Sequence, residues 1–342
     1  MLDLNHKTIL LTGGTGSFGN AFTEIVTTRW PTAVVRVYSR DELKQSEMRA
    51  KFGDARVRYL IGDVRDRSRM SRAAEGVDIV VHAAAMKQVP ACEYNPFEAV
   101  RTNVLGAQHV VDAAIDAKVE RVVALSTDKA VNPVNLYGAT KLCAEKIFVQ
   151  GNAYASQGST RIACVRYGNV IGSRGSVVPV FRQQLERDGR IAITDERMTR
   201  FWITLPQAVD LVLLALAEME GGEVFVPKIP SMRVTDLAEA MAPGAPHDIV
   251  GIRPGEKLHE LLLTGDEARH TVERGDVYVV LPEHPWWDEQ GSKRFGTPVS
   301  GDFVYASDTN EQWLTVEGLR DLLGVAPLAT PFAAPAAPAA VA

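Results

Sequence analysis

Leu125-Ser126-Thr127-Asp128-Lys129 closes an apolar run, and Tyr137-Gly138-Ala139-Thr140-Lys141 follows shortly after. Together they offer a hydroxyl, a carboxylate, an amine and a Tyr-x-x-x-Lys pair to one pocket. Tyr137 and Lys141, four apart, share a helix face. A cation close to the phenol favours phenolate, so Tyr137 reads as the base that takes a hydroxyl proton while hydride leaves the same carbon. Thr127 is placed to hydrogen-bond that hydroxyl. A plain oxidation needs nothing more. Asp128 and Lys129 add an acid and a base, which suits an elimination: once a carbonyl has formed, the adjacent C–H is acidified and a β-hydroxyl becomes a leaving group. A protonated Asp128 and a neutral Lys129 are expected to serve. Return of hydride and proton would close a redox-neutral cycle.

The elements that must position these groups alternate along the first half of the chain. Apolar runs predict strands at Lys7–Thr12, Ala33–Tyr38, Val57–Ile61, Val77–Ala83, Arg121–Leu125 and Arg161–Arg166, separated by amphipathic stretches. This is the pattern of an α/β, Rossmann-type doubly wound parallel sheet. Ala99, Val100, Asn103, Val104, Ala107, Val110, Val111 and Ala114 recur at helical spacing and predict one helix over Pro96–Ala117. A further helix begins near Tyr137.

After the first strand comes Thr12-Gly13-Gly14-Thr15-Gly16-Ser17-Phe18-Gly19. It fits Gly-x-Gly-x-x-Gly through Gly14, Gly16 and Gly19, and Gly-x-x-Gly-x-x-Gly through Gly13, Gly16 and Gly19. Such a turn lets backbone N–H groups meet a pyrophosphate at a helix N-terminus, so a dinucleotide is expected there. At the end of the second strand, Ser39 and Arg40 occupy the ribose position, and Arg40 suits a 2′-phosphate, which favours NADP over NAD. Asp41 competes with that choice. Asp63, with Val64 after the third strand, could accept from the adenine amine or cap the next helix. Ala83 and Ala84 leave room for the cofactor backbone.

Beyond about Val170 the rhythm breaks at Gly172, Ser173, Gly175 and Pro179. Residues 1–170 are therefore expected to form mainly the NADP-binding domain. Residues 171–325 read mainly as a smaller substrate-binding lobe with elements returning to the core. The uncharged Ala/Pro-rich stretch 326–342 reads as a flexible tail, and the apolar helix around Ala208–Ala217 as packing alone. With 46% hydrophobic and 23% charged residues, the 342-residue chain has the composition of a soluble globular protein. A formal charge of -5 argues against a nucleic-acid surface, which is usually basic, while basic residues can still cluster locally around an anionic ligand such as a phosphorylated substrate. Cys92, Cys143 and Cys164 form no Cys-x-x-Cys pair and are expected as small buried thiols in a reduced, cytoplasmic setting. There is no leader pattern, and no apolar run nears the ~20 residues of a spanning helix. His259-Glu260 lacks the second histidine of His-Glu-x-x-His, so no metal is expected.

Several longer motifs are more specific than the glycine turn. They are Ala83-Ala84-Ala85-Met86-Lys87-Gln88-Val89-Pro90, Ser126-Thr127-Asp128-Lys129-Ala130, Arg166-Tyr167-Gly168-Asn169-Val170-Ile171-Gly172-Ser173-Arg174-Gly175-Ser176, Arg197-Met198-Thr199-Arg200-Phe201-Trp202 and Gly251-Ile252-Arg253-Pro254-Gly255-Glu256-Lys257-Leu258-His259-Glu260. On these, from Lys7 to about Leu323, the chain resembles the extended short-chain dehydrogenases. Among them it resembles the inverting UDP-N-acetylglucosamine 4,6-dehydratases (5-epimerising) that open pseudaminic acid biosynthesis. The resemblance implies conversion of UDP-N-acetylglucosamine to UDP-2-acetamido-2,6-dideoxy-beta-L-arabino-hex-4-ulose, with bound NADP recycled in a homo-oligomer. It implies that Asp128 assists loss of the C6 hydroxyl and that Lys129 handles the C5 proton. Related retaining dehydratases carry a carboxylate where Lys129 stands, so the lysine implies proton return from the opposite face. Asn169, Arg200, Arg253 and Glu256 resemble the positions that hold diphosphate, uracil and ribose, and Lys87 is placed to line the sugar pocket. A retaining dehydratase, a C4 epimerase and a non-catalytic NADP-sensing module remain as alternatives.

Overall fold

Runs of Val, Ile and Leu with no polar alternation suit strands covered on both faces, and they build the centre of this molecule. In a computed structural model, which describes residues 2–155, 159–172, 176–283 and 296–324, the chain opens as β1 (Thr8–Thr12), α1 (Ser17–Arg29), β2 (Val34–Ser39), α2 (Glu42–Phe52), β3 (Val57–Ile61), α3 (Arg67–Ala74) and β4 (Ile79–His82). It continues through α4 (Val89–Tyr94), α5 (Pro96–Val100), α6 (Gly106–Asp116), β5 (Arg121–Leu125), α7 (Leu136–Gly151) and β6 (Arg161–Val165). These strands pair in parallel in the order β3-β2-β1-β4-β5-β6. The chain reverses its winding between β1 and β4, and ligands of such sheets sit at that crevice.

The expected helix over Pro96–Ala117 is three pieces. A π-helical turn at Arg101–Leu105 joins α5 to α6. The wide turn shifts the buried face by one residue, so Val100 is exposed while Thr102 and Asn103 turn inward. π-turns inside helices are frequent at functional sites. Here Asn103 clamps Met86, accepting from its N–H at 2.8 Å and donating to its carbonyl at 3.0 Å, and also donates to Thr140 on α7.

The second half supplies β7 (Asn169–Val170), α8 (Val177–Asp188), β8 (Ile191–Ile193), β9 (Thr199–Ile203), α9 (Leu205–Glu218), β10 (Val224–Pro227), β11 (Ser231–Arg233), α10 (Val234–Met241) and β12 (His247–Ile249). It ends with β13 (Leu261–Leu263), α11 (Gly265–Ala268), β14 (Thr271–Arg274), β15 (Val277–Val280), β16 (Thr297–Pro298), β17 (Tyr305–Ala306) and α12 (Val316–Leu323). β10 adds in parallel beside β6, and β15, β14 and β16 extend that edge in antiparallel fashion. The short apolar stretches of this edge carried no rhythm by which the sequence could announce them. α9, which opens with a Thr204–Gln207 capping box, lies against α1 and buries Val209, Val212 and Leu216 in the sheet's core. A second core gathers Phe181, Trp202, Leu237, Met241 and Leu319 around α8, α10 and α12. Residues 173–175 and the 326–342 tail lie outside the described residues.

Cys92 and Cys164 are buried, but Cys143 is exposed on the outer side of α7. Among the described residues, no helix is long and apolar enough to cross a membrane.

Candidate active site

A cleft of about 820 Å³ runs across the carboxyl ends of the strands, from the glycine turn to the second core. At one end Gly13 has φ +64°, and a Cβ there would stand 2.8 Å from the backbone of Ala83 and Ala84. Only glycine lets the β1 and β4 loops approach so closely. Gly16, Ser17, Phe18 and Gly19 complete this wall, with Ala83 and Ala84 facing them. The cradle suits a dinucleotide pyrophosphate at the start of α1.

Ser39, Arg40, Asp63 and Val64 line the same end. Asp41 is occupied as the N-cap of α2, accepting from Lys44 N and pairing with its ammonium at 2.6 Å. Asp63 does not cap α3; Asp66 does. Asp63 instead binds Arg65 through both carboxylate oxygens and lies 3.6 Å from Arg40. Burial opposes its charge, but Arg65 outweighs it and holds the carboxyl below its ordinary range. The Arg40 side chain remains 59% exposed at the cleft rim.

The centre is built where β5 ends. Thr127 is extended, and its side chain caps the 3-10 turn Asp128–Ala130. α7 starts beside this turn, its N-cap Asn135 accepting from Gly138 N at 2.8 Å. A Cβ at Gly138 would lie 2.1 Å from Lys129 O, so glycine sets how near α7 comes. Tyr137 in the first turn and Lys141 one turn on both line the cleft. Lys141 donates to Leu125 O at 2.6 Å, and burial lowers its proton affinity. Tyr137 departs from the expected lowering. Burial pushes its phenol up to about 12, opposed by the Lys129 charge and by the Thr127 hydroxyl rather than by Lys141.

Lys129 also departs from expectation: it is an ammonium. Its Nζ lies 3.1 Å from Asp128 Oδ1 and 3.3 Å from Glu260 Oε1. Burial works against the charge, but the two carboxylates outweigh it and hold the amine well above its ordinary range. Asp128 is fully buried; its Oδ1 accepts from Thr127 Oγ1 at 2.8 Å, and its Oδ2 has no hydrogen-bond partner among the described residues. Burial pushes its carboxyl upward, partly offset by Lys129, as an acid requires. Asp128 is the one expected site residue that does not line the cleft.

Beyond lie Lys87, Asn169, Arg200, Arg253 and Glu256. Arg200 spends its donors within the protein, on the carbonyls of Thr199, Lys257 and Leu258. Arg253 is 58% exposed and 3.6 Å from Glu256, so of these two arginines its guanidinium is the one presented to the cleft. Asn135 donates to Gly255 O, and Lys257 to Val131 O, fastening this loop to the start of α7. Burial and the nearby Lys129 lower the Lys87 proton affinity.

Glu260 was missed as a site residue. It sits far from Lys129 in sequence, and its His-Glu context suggested only a metal motif. His259 instead shares a hydrogen bond with Thr199 Oγ1. Behind the site, buried Arg166 joins Glu145 of α7, Glu267 of α11 and the Leu262 carbonyl of β13. This brings the segment holding Glu260 against the helix that carries Tyr137.

Sheet order, glycine turn and the Thr127–Tyr137–Lys141 set define an extended short-chain dehydrogenase. More narrowly, the chain belongs to the polysaccharide biosynthesis protein family, matched over residues 9–282. It is 49% identical to the UDP-N-acetylglucosamine 4,6-dehydratase (inverting) of Campylobacter jejuni strain 81-176, over 93% of this chain and 98% of the relative. It is 44% identical to a UDP-glucose 4-epimerase of Rickettsia felis over 80% and 82%. Among solved structures, Pen from Bacillus thuringiensis superposes with a TM-score of 0.86 at 39% identity, covering 94% of this chain and 98% of that one.

Proposed function

We propose that the chain is a UDP-N-acetylglucosamine 4,6-dehydratase that inverts C5. The observation that carries this reading is the Asp128–Lys129 turn set directly against Tyr137. An epimerase needs only oxidation and re-reduction at C4 and has no use for an elimination acid and an ammonium beside the tyrosine.

Bound NADP would supply a reversible acceptor for hydride. Gly13, Gly16 and Gly19 would hold its pyrophosphate, and Arg40 and Ser39 its 2′-phosphate. That choice is supported by Asp41, whose carboxylate is taken up by α2 and Lys44. Lys141 would hold the nicotinamide ribose.

Tyr137 takes the C4 hydroxyl proton, with Thr127 orienting that hydroxyl. A buried phenol resists ionisation, so the positive charges of Lys129 and of the oxidised nicotinamide are what bring phenolate within reach. Asp128, whose carboxyl burial pushes upward, is assigned as the acid for the departing C6 oxygen. Lys129, already an ammonium, returns a proton to C5. Arg253 binds the diphosphate side and Glu256 the ribose, Lys87 lines the sugar pocket beside Lys129, and Asn169 and Arg200 shape the wall between them. Exposed Tyr94, Phe97 and Leu105 on the α4–α6 stretch support assembly into a homo-oligomer, which light scattering would measure.

The test is NMR of the purified protein with UDP-N-acetylglucosamine in D2O. The expected product is a 4-keto-6-deoxy sugar, deuterated and inverted at C5. Retained C5 overturns the inverting assignment, and a C4 epimer with intact C6 hydroxyl overturns the dehydratase.

A further inference from the structure

This inference rests on the function proposed above, in which Asp128 is the acid for the C6 oxygen and Lys129 an ammonium. The two roles conflict if these residues have only each other. An ammonium 3.1 Å from Asp128 Oδ1 favours the carboxylate, and a carboxylate has no proton for a leaving hydroxide. Elimination therefore needs a second anion beside Lys129.

Glu260 is placed to be that anion. Its Oε1 stands 3.3 Å from Lys129 Nζ, so one ammonium serves two carboxyl groups. Like charges that share a site oppose each other, and one of the two groups then retains a proton more readily. Each carboxyl has one buried oxygen without a hydrogen-bond partner among the described residues. The difference between them is a second cation. Glu260 Oε1 also lies 3.7 Å from Arg200 Nε, whereas Asp128 adds only the Thr127 hydroxyl to Lys129. Charge is thus favoured on Glu260 and the proton on Asp128. The other groups around the ammonium are the Tyr137 phenol from α7 and three cations, Lys87 after β4, Arg200 of β9 and Lys257. Burial pushes the Asp128 carboxyl upward, and Glu260 adds to this against Lys129. Burial also opposes the Glu260 charge, but Lys129, Arg200 and Lys257 outweigh it and hold that carboxyl below its ordinary range. The backbone of Glu260 is fixed from elsewhere in the fold: its N–H donates to Ser307 Oγ, and its carbonyl accepts from Ser307 N, each at 2.9 Å.

We propose that Glu260 is a positioning residue for the elimination: it supplies the counter-charge of Lys129 and so leaves Asp128 holding the proton that the C6 oxygen takes. When the C6–O bond breaks, its electron pair stays on oxygen. The carboxyl O–H bond of Asp128 breaks, its proton joins that oxygen, water departs, and Asp128 becomes a carboxylate. The proton that Tyr137 gained from the C4 hydroxyl then returns to Asp128 through Thr127, which donates to Asp128 Oδ1 at 2.8 Å.

The test joins infrared spectroscopy of the purified protein to the pH profile of product formation followed by NMR. At neutral pH the wild type should show the C=O stretch of a protonated carboxyl that Asp128→Asn removes. In Glu260→Gln that band should already be missing. The alkaline limb of its dehydration profile, where the carboxyl pair loses its last proton, should move to lower pH by roughly 1–3 pH units. Glu260→Asp, which keeps a carboxylate one methylene further back, should move the limb in the same direction by less. A Glu260→Gln protein that keeps the Asp128 band overturns the proposal. So does a lower rate with the limb unmoved, which is what a packing role alone gives. Where Glu260→Gln is too slow to trace a limb, its band decides; where it does not fold, Glu260→Asp decides, and an unmoved limb overturns the proposal. A wild type that makes the 4-keto-6-deoxy sugar but lacks the Asp128 band defeats this inference alone. A wild type that leaves UDP-N-acetylglucosamine unchanged defeats the functional reading and this role with it.

Discussion

Asp128 and Lys129 show how one residue's chemistry depends on neighbours distant in sequence. The dipeptide was legible as an acid and a base, but its protonation was not. Asp128 and Glu260 together hold Lys129 as an ammonium, and no local pattern around residue 129 reports the second of these contacts. Asp128→Asn removes the proton for the C6 oxygen, so dehydration should fall roughly 10²–10⁴-fold while C4 oxidation persists; single-turnover kinetics with product NMR checks it. His82 offers a second prediction. It is buried at the end of β4 with Nδ1 2.8 Å from Thr12 Oγ1, and burial, helped by the Lys141 charge, lowers its pKa to about 3. The unfolded chain takes up a proton on this side chain below its ordinary value near 6.5, whereas the folded chain does not. Its contribution to stability is thus complete above that value and is lost as pH falls toward 3, at about 1.4 kcal/mol per unit. Urea unfolding of His82→Gln should show a shallower loss of stability between neutral and acid pH than wild type.

At the level of elements, the strands of the first half were readable to within two residues because both-face burial leaves continuous apolar runs. The Pro96–Ala117 helix was readable with most of its inward face, Ala99, Asn103, Ala107, Val110, Val111 and Ala114, but its π-turn was not, and Val100 is exposed there. Gly138 is legible in the sequence only as part of a motif, and its role as the contact between α7 and the Lys129 carbonyl needs three dimensions. Gly138→Ala should push α7 from the catalytic turn, costing ~1–3 kcal/mol in urea unfolding and lowering kcat more than it raises KM. The Arg166 cluster makes the same point about packing. Arg166→Met strands Glu145 and Glu267 without a cation, and one-sided removal from such a buried cluster costs about 3–5 kcal/mol. A fall of that size in unfolding free energy is expected.

Across the whole molecule, the two cores meet along a cleft whose walls come from both halves of the chain, so a ligand spanning it should tie them together. Thermal unfolding with UDP at 100 times its Kd should show about 2.7 kcal/mol of added stability, and Arg253→Ala should lose much of it. The three cysteines give the molecule a property with no part in its chemistry. Cys143 is exposed while Cys92 and Cys164 are buried. A thiol reagent should therefore modify one sulfur per native chain at once, Cys164 only as the sheet's core opens, and Cys92 as the small cluster it forms with Ala99 and Tyr137 opens. The delay before each is modified is a separate clock for the opening of each region. The same asymmetry leaves one position on the catalytic helix where a dye can be attached without engineering the sequence.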